Sequence, residues 1–148
     1  MSTASGQERI VVGIDGSPQS KAALSWAIDE ARLRGRGLRV IHVFPALISI
    51  ASTPTTEYLP QVEKEQAAMF EQALAAAPPM DDLDVERLLI GGNPSEELVN
   101  ASRGANLLVL GSHGVGSFRG MLLGSVSIHC VQQAHCPVVV VRHPHDDH

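Results

Sequence analysis

The stretch Asn106-Leu-Leu-Val-Leu-Gly-Ser-His-Gly114, followed after nine residues by Gly124-Ser-Val-Ser127, is the most informative part of this chain. Residues 106–110 are an apolar run typical of a buried strand, and residues 125–134 have the pattern of a helix. Glycines let a backbone approach a ligand closely, and the free N–H groups at a helix start attract anions. The order strand, glycine-rich loop, helix therefore predicts a nucleotide-phosphate site, with Ser125 as helix cap and hydroxyl donor.

A glycine-rich turn is a weak signal by itself, because many such turns only join a strand to a helix. The loop 111–124 is longer than most connections between a strand and a helix, and long ordered loops are often functional. Its length favours a binding loop over a simple connection.

The apolar runs of the chain alternate with helical patterns. Apolar runs cover residues 9–15, 38–44, 85–90, 106–110 and 137–142, and helical patterns cover about 17–34, 60–77, 93–103 and 125–134. Continuous apolar strands between helices are typical of a parallel sheet covered on both faces. We predict an α/β, Rossmann-like fold: a single doubly wound domain over 1–148, with four helices and a five-stranded parallel sheet in the order 3-2-1-4-5.

Three segments fall outside these elements. Residues 1–8 and 143–148 are polar ends that we expect to be flexible, and residues 46–58 show no period and are interpreted as a mobile loop.

Composition excludes several classes of partner. With 16 acidic and 11 basic residues the formal net charge is −5, which argues against binding of nucleic acid or of an anionic membrane surface. The cluster Arg32, Arg34, Arg36 and Arg39 runs against that balance and is interpreted as a solvated helix end. We expect no membrane span, because no run reaches the roughly 18 to 20 apolar residues it requires.

The cysteines and the amino terminus give an indication of the cellular compartment in which the protein functions. Residues 1–8 lack the apolar core of a signal peptide, and two cysteines do not make a disulfide framework. His129-Cys130 and His135-Cys136 are interpreted as packing residues and not as a metal site. We predict a cytoplasmic protein.

Several motifs together resemble the universal stress protein family. They are Val11-Val-Gly-Ile-Asp-Gly-Ser17, His42-Val43, Gly92-Asn-Pro94, the motif Gly-x2-Gly-x9-Gly-Ser from Gly111 to Ser125 with Val126-Ser127 after it, and Cys136-Pro-Val-Val-Val-Val-Arg142. The resemblance implies a five-stranded parallel sheet, a homodimer and, in the subgroup that keeps the glycine motif, ATP binding. It covers nearly the whole chain.

The resemblance also implies roles for single residues. Asp15 would lie near the ribose or the adenine with Gly13 beside it, and Val43 would pack on the adenine. The ribose and phosphates would be held by Leu110, Gly111, Gly114, Gly124, Ser125, Val126 and Ser127. Asp15 can instead cap the following turn, and Val43 can be an ordinary core residue.

The loop adds two candidates from its own chemistry. Arg119 can close over the phosphates as a charged donor, or it can be exposed to solvent. His113 is disfavoured as a general base, since the sequence shows no carboxylate partner for it. No Gly-Lys-Ser/Thr phosphate loop and no Gly-x-Ser-x-Gly nucleophile motif is present.

These features favour binding over catalysis, and whether the protein is an enzyme stays open. We predict an ATP-binding, nucleotide-dependent regulator of stress response or dormancy, with Mg²⁺ or Mn²⁺ as candidate counter-ions and an unknown protein partner. We expect the strand Pro137 to Arg142 at an edge of the sheet and predict it as the homodimer contact, since pairing covers an exposed edge. The alternatives are a slow ATPase and an interaction module that binds AMP or cyclic AMP.

Overall fold

The computed structural model describes residues 8–45, 58–113 and 123–143. In these ranges the elements follow one another as β1 (Ile10–Gly13), α1 (Pro18–Arg34), β2 (Leu38–Phe44), α2 (Tyr58–Ala76), β3 (Val85–Gly91), α3 (Pro94–Ala101), β4 (Leu107–Gly111), α4 (Ser125–Gln133) and β5 (Val138–Val141). The segments 1–7, 46–57, 114–122 and 144–148 lie outside the described residues. The predictions of flexible chain ends and of a mobile loop over 46–58 therefore concern mostly residues that are not described.

The five strands form one parallel sheet in the order β3-β2-β1-β4-β5. β1 lies in the centre, with Ile10 level with Leu38 of β2 on one side and Leu107 of β4 on the other. The predicted fold class, strand order and neighbourhood of strands one and four are therefore confirmed. The reversal of strand order between β1 and β4 opens a crevice at the carboxyl ends of these two strands.

Two apolar clusters lie on opposite faces of the sheet, because successive strand side chains point to opposite sides. Ile10 and Val12 pack with residues of α1 and α2 such as Ile28 and Phe70. Val11 packs instead with residues of α3 and α4, among them Leu98 and Cys130. Helices thus cover both faces, which explains why the strand sequences are continuously apolar.

Capping residues determine where helix α1 begins and ends. The Ser17 hydroxyl accepts a hydrogen bond from the Ser20 N–H at 3.1 Å, and Pro18 occupies the first turn, where no N–H is needed. Gly35 ends the helix with φ +65°, a left-handed conformation that glycine adopts without strain.

Helix α3 starts in the same way. The Asn93 side chain accepts from the Glu96 N–H at 3.0 Å, and Pro94 is the first helical residue. A polar cap followed by proline therefore begins both helices. Among the described residues, no helix is long and apolar enough to cross a membrane.

The arginine cluster does not form a free basic surface. The Arg32 guanidinium pairs with Asp82 at 2.8 Å, Arg34 with Glu30, Arg36 with Glu8 and Arg39 with Glu86. Arg39 belongs to β2 and not to the helix end, and Glu86 is its direct neighbour in the β2–β3 register. The interpretation as a solvated helix end is wrong for Arg39, and the whole cluster is neutralised by carboxylates.

Candidate functional site

The carboxyl ends of β1, β2 and β4 border a cleft of about 500 Å³. This volume lies within the range that small-molecule sites occupy. The cleft is lined by Gly13, Ile14, Asp15, Ser20, Ile41, His42, Val43, Pro45, Gln66, Met69, Pro94, Leu98, Leu110, Gly111, His113, Gly124, Ser125, Val126 and Ser127. It lies at the reversal of strand order, where open α/β sheets bind their ligands.

The first wall is the turn that follows β1. The Asp15 carboxylate accepts the Ser17 N–H at 2.9 Å, and the Ser20 hydroxyl accepts the Asp15 N–H at 3.2 Å. Asp15 therefore caps the turn, which was the alternative to a ligand role, and it also borders the cleft. A carboxylate has several acceptor positions, so capping does not use up its capacity for a ribose hydroxyl.

Gly13 and Gly111 both lie where a side chain would collide with neighbouring elements. A Cβ at Gly111 would lie 2.7 Å from the backbone carbon of Gln19 in α1, closer than real Cβ contacts come. A Cβ at Gly13 would meet the tips of Leu98 and Leu110 at 3.0 to 3.2 Å. Close approach of helix α1 to the end of β4 is thus a sufficient reason for Gly111, apart from any ligand.

The second wall joins β4 to α4. The Ser112 carbonyl accepts the Gly124 N–H at 2.7 Å, and the Ser127 hydroxyl donates to the Gly111 carbonyl, also at 2.7 Å. Ser127 is buried, so its hydroxyl serves to hold the helix start against the strand end. These two bonds bring the amino terminus of α4 to the edge of the cleft.

The cap of α4 differs from the prediction. The N-cap residue is Gly124, which has no side chain to donate or accept, and Ser125 is the first residue of the helix. The prediction of Ser125 as the cap is wrong by one position, because the chain is still extended at Gly124, with φ −79° and ψ 170°. The N–H groups of Ser125, Val126 and Ser127 belong to the first turn, where a helix offers no carbonyl partner of its own.

The third wall is mostly apolar and comes from β2, α2 and α3. Val43 and Leu98 belong to the buried cluster on the α3 and α4 side of the sheet, and Met69 projects from α2 beside the turn after β1. The cleft therefore combines apolar surface from these elements with main-chain donors from the start of α4. A ligand with a flat apolar part and an anionic part matches this combination.

Sequence reasoning gave no role to two polar residues that border the cleft. His42 is 4% exposed and lies in β2, and Gln66 projects towards it from α2. His42 could have been noticed as the one ionisable side chain in the run Val40 to Phe44. Gln66 lies four residues before the buried Phe70 and eight before Leu74, so helical spacing places it on the inward face.

The structure brings the predicted residues together as far as it describes them. Nine of them line the one cleft: Gly13, Asp15, Val43, Leu110, Gly111, Gly124, Ser125, Val126 and Ser127. Gly114 and Arg119 lie outside the described residues. His113 also borders the cleft, with its Nδ1 3.2 Å from the Ser112 hydroxyl.

The cysteines pack as the sequence suggests. Cys130 is fully buried on α4, and Cys136 packs partly against the same cluster. Burial raises the pKa of the Cys130 thiol to about 11 and raises that of Cys136 as well. Both are therefore protonated thiols at neutral pH.

A comparison with protein families identifies the fold. The model of the universal stress protein family matches residues 7–142. The chain belongs to this family. A universal stress protein of Mycobacterium tuberculosis is 35% identical over 133 residues, and one of Mycolicibacterium smegmatis is 41% identical over 134 residues. Each alignment covers 90% of this chain but 45% of the relative, so the chain spans under half the length of these relatives.

Solved structures of universal stress proteins have the same architecture. UspA of Lactobacillus plantarum superposes with a TM-score of 0.75 at 21% identity, covering 92% of this chain and 98% of UspA. A universal stress protein in complex with cAMP superposes with a TM-score of 0.58 at 26% identity, covering 92% of this chain and 97% of the other. A family member from Arabidopsis thaliana with AMP bound gives a TM-score of 0.62 at 19% identity, covering 95% and 94%.

Proposed function

We propose that this universal stress protein binds ATP in the cleft at the carboxyl edge of its sheet and acts as a nucleotide-dependent regulator of stress response or dormancy. The observation that carries the proposal is that one cleft combines apolar side chains, among them Val43 and Leu98, with the main-chain donors at the start of α4. The base would pack on the apolar side chains and the phosphates would lie at the donors. Family members that bind cAMP and AMP support an adenine nucleotide as the ligand class.

The chain is acidic, and we assign no lysine side chain to the phosphates. The phosphates therefore need other hydrogen-bond donors. The N–H groups of Ser125 and Val126 and the positive end of α4 point to one border of the cleft and can hold an anion there. Asp15 would accept from a ribose hydroxyl. Arg119 and Gly114 complete the proposed set, and Mg²⁺ or Mn²⁺ would offset the triphosphate charge.

A melting experiment on nucleotide-free protein tests the proposal. At a hundredfold excess over Kd, ATP with Mg²⁺ should stabilise the fold by about 2.7 kcal/mol. GTP at the same concentration is the control for binding by phosphates alone. A melting temperature that does not change in millimolar Mg-ATP would contradict the proposal.

The ligand can also be a different adenine nucleotide. Mass spectrometry of the small molecules released from freshly purified, denatured protein distinguishes ATP from AMP and cyclic AMP. Release of phosphate over many turnovers would favour the alternative of a slow ATPase. Binding of AMP or cyclic AMP, with no binding of ATP, would favour the interaction module.

We also propose a cytoplasmic homodimer, formed by one domain per chain, that pairs through β5. β5 is an edge strand, and the carbonyls of Pro137 and Val141 accept from the N–H groups of Leu108 and Ser112 on the β4 side. Since peptide groups alternate in direction along a strand, the N–H of Val140 points away from β4. No strand of the described residues pairs with that edge, and a second copy can pair with it around a two-fold axis.

Proline at position 140 tests this contact. Val140→Pro removes an outward donor while leaving the pairing with β4 in place, so it should yield monomers in sedimentation experiments. Val140→Thr keeps the N–H and should remain dimeric. A dimer that persists in the proline variant would exclude this interface.

A further inference from the structure

A hydrogen-bonded pair, His42 and Gln66, borders the cleft beside α2. The Nδ1 atom of His42 lies 2.8 Å from the Ile14 carbonyl oxygen, and its Nε2 atom lies 2.6 Å from the Gln66 Oε1 position. Phe44 and Phe70 lie beside the imidazole, with ring centroids 6.4 and 6.2 Å away. Both polar residues border the cleft.

The Ile14 carbonyl determines how the pair is protonated. A carbonyl only accepts, so Nδ1 carries a hydrogen and donates it. No carboxylate of the described residues lies within ion-pair distance of His42, and a buried imidazolium without an anionic partner is costly. Neutral His42 therefore has a lone pair on Nε2, and that lone pair requires a donor from Gln66.

The Gln66 amide satisfies this requirement by presenting its nitrogen to His42. The oxygen and nitrogen of an amide exchange places when the group turns by 180°, with no change in the space it fills. In the neutral arrangement one N–H of Gln66 donates to His42 Nε2, and the carbonyl oxygen faces the other way. Because Gln66 borders the cleft, this acceptor is available to a bound base.

We infer that Gln66 selects a 6-aminopurine, with His42 as the positioning residue that holds its amide in one orientation. This inference rests on the proposed function and goes beyond it by naming the group that distinguishes adenine from guanine or hypoxanthine. An amide carbonyl accepts from the exocyclic amine of adenine, as amide side chains do when they read adenine in DNA. A 6-oxopurine presents a carbonyl at the same place, and two acceptors repel each other.

Rotation of the amide would let Gln66 donate to a 6-oxo group, and His42 opposes that rotation. If the amide turned, its carbonyl would face the Nε2 lone pair and both groups would lose their hydrogen bond. The cost of leaving such a buried pair unsatisfied is the source of the selectivity. The Ile14 carbonyl thus sets the His42 tautomer, and the tautomer sets the ligand preference.

Calorimetric titration with three nucleotides tests the inference. AMP, inosine monophosphate and purine riboside monophosphate carry an amine, a carbonyl and a hydrogen at position 6, and inosine monophosphate also carries a hydrogen on N1. We expect the parent chain to bind AMP about tenfold more tightly than either of the others.

Four variants separate the role of Gln66 from its contribution to packing. Gln66→Leu removes the acceptor and should reduce the preference for AMP over purine riboside monophosphate to about onefold. Gln66→Glu keeps acceptor oxygens and should retain that preference. His42→Phe releases the amide and should abolish the discrimination between AMP and inosine monophosphate. Gln72→Leu, on the exposed side of the same helix, is the matched control and should change neither ratio.

The outcomes separate this inference from the proposed function. Equal losses of AMP and purine riboside monophosphate in Gln66→Leu overturn the role of Gln66 and leave nucleotide binding in place. A parent chain that binds all three ligands equally also overturns it. If the parent chain binds no nucleotide, both proposals fail. If Gln66→Leu does not fold, as judged by circular dichroism, His42→Phe decides the question: a variant that still discriminates AMP from inosine monophosphate as the parent does overturns the inference.

Discussion

The amino edge of the parallel sheet, where its strands begin, and the carboxyl edge, where they end, both carry many polar groups. These groups differ in what they contact. At the amino edge, Arg9 before β1 pairs with Asp84 before β3 at 2.9 Å, and Arg32 pairs with Asp82. At the carboxyl edge, main-chain N–H groups, uncharged side chains and the Asp15 carboxylate border a cleft. The charged residues that stand out in the sequence lie at the amino edge, whereas the cleft that could hold a ligand lies at the carboxyl edge.

This contrast shows that cationic residues alone do not indicate an anion site. Each arginine of the 32–39 cluster has a carboxylate partner, so its charge is neutralised locally. The start of α4 carries no basic side chain in its first turn, yet its N–H groups face a cavity. Fixed main-chain donors beside an open volume are the better indicator.

The largest expected effect concerns the backbone that forms the carboxyl edge. Gly111→Ala should lower the free energy of unfolding by about 1 to 3 kcal/mol, because the new methyl group meets the Gln19 backbone, which cannot move like a side chain. Urea unfolding measures this change. Gly92→Ala is the control: its Cβ meets only the Glu97 side chain, at 3.1 Å, and the change should stay within about 0.5 kcal/mol. Equal losses in the two variants would mean that α1 does not constrain the end of β4.

A smaller effect is expected from neutralising one carboxylate at each edge. Asp15→Asn should weaken ATP binding by about 1 kcal/mol, since a neutral acceptor makes a weaker hydrogen bond than a charged one. An asparagine oxygen can still accept from the Ser17 N–H, so the turn after β1 should be retained. Asp84→Asn makes the same change of charge at the amino edge and should leave the affinity unaltered. Calorimetry would contradict the assignment if both variants bound ATP as the parent does.

The smallest effect belongs to the amino edge itself. The Arg32 guanidinium lowers the pKa of the Asp82 carboxyl below its ordinary value of 3.8 by donating a hydrogen bond to it. Arg32→Gln should therefore raise the pKa of Asp82, as followed by carbon NMR during a pH titration, and should not alter ATP affinity. A loss of ATP affinity in this variant would break the contrast between the two edges.

The sign of the pH dependence follows from the same shift. A carboxyl group with a lowered pKa in the folded protein adds stability above its unfolded pKa and loses that contribution as the pH falls through the lowered value. Acid unfolding of the parent and of Arg32→Gln should therefore differ above about pH 4 and converge below it. Both groups of the pair are fully exposed, so the difference should be small.

Most of the fold could be predicted from the sequence because local signals agreed with one another. The run Leu38 to Phe44 was bounded by Gly37 and Pro45 and is a strand with those limits. Ser17-Pro18 and Asn93-Pro94 predicted two helix starts that the structure confirms. The start of α4 at Ser125 was also predicted, but its cap was placed one residue too late because Gly124 carries no side chain that marks a cap.

The order and type of the elements, and the glycine-rich loop between β4 and α4, follow from the sequence alone because strand apolarity, caps and glycine spacing are local properties. The contacts between residues that are distant in the chain depend on the tertiary structure. Gln66 and His42 are 24 residues apart and meet because α2 packs over the end of β2. Gly111 meets the backbone of Gln19 because β4 is placed beside β1. Such contacts depend on strand order and helix packing across the whole sheet, and no short stretch of sequence encodes them.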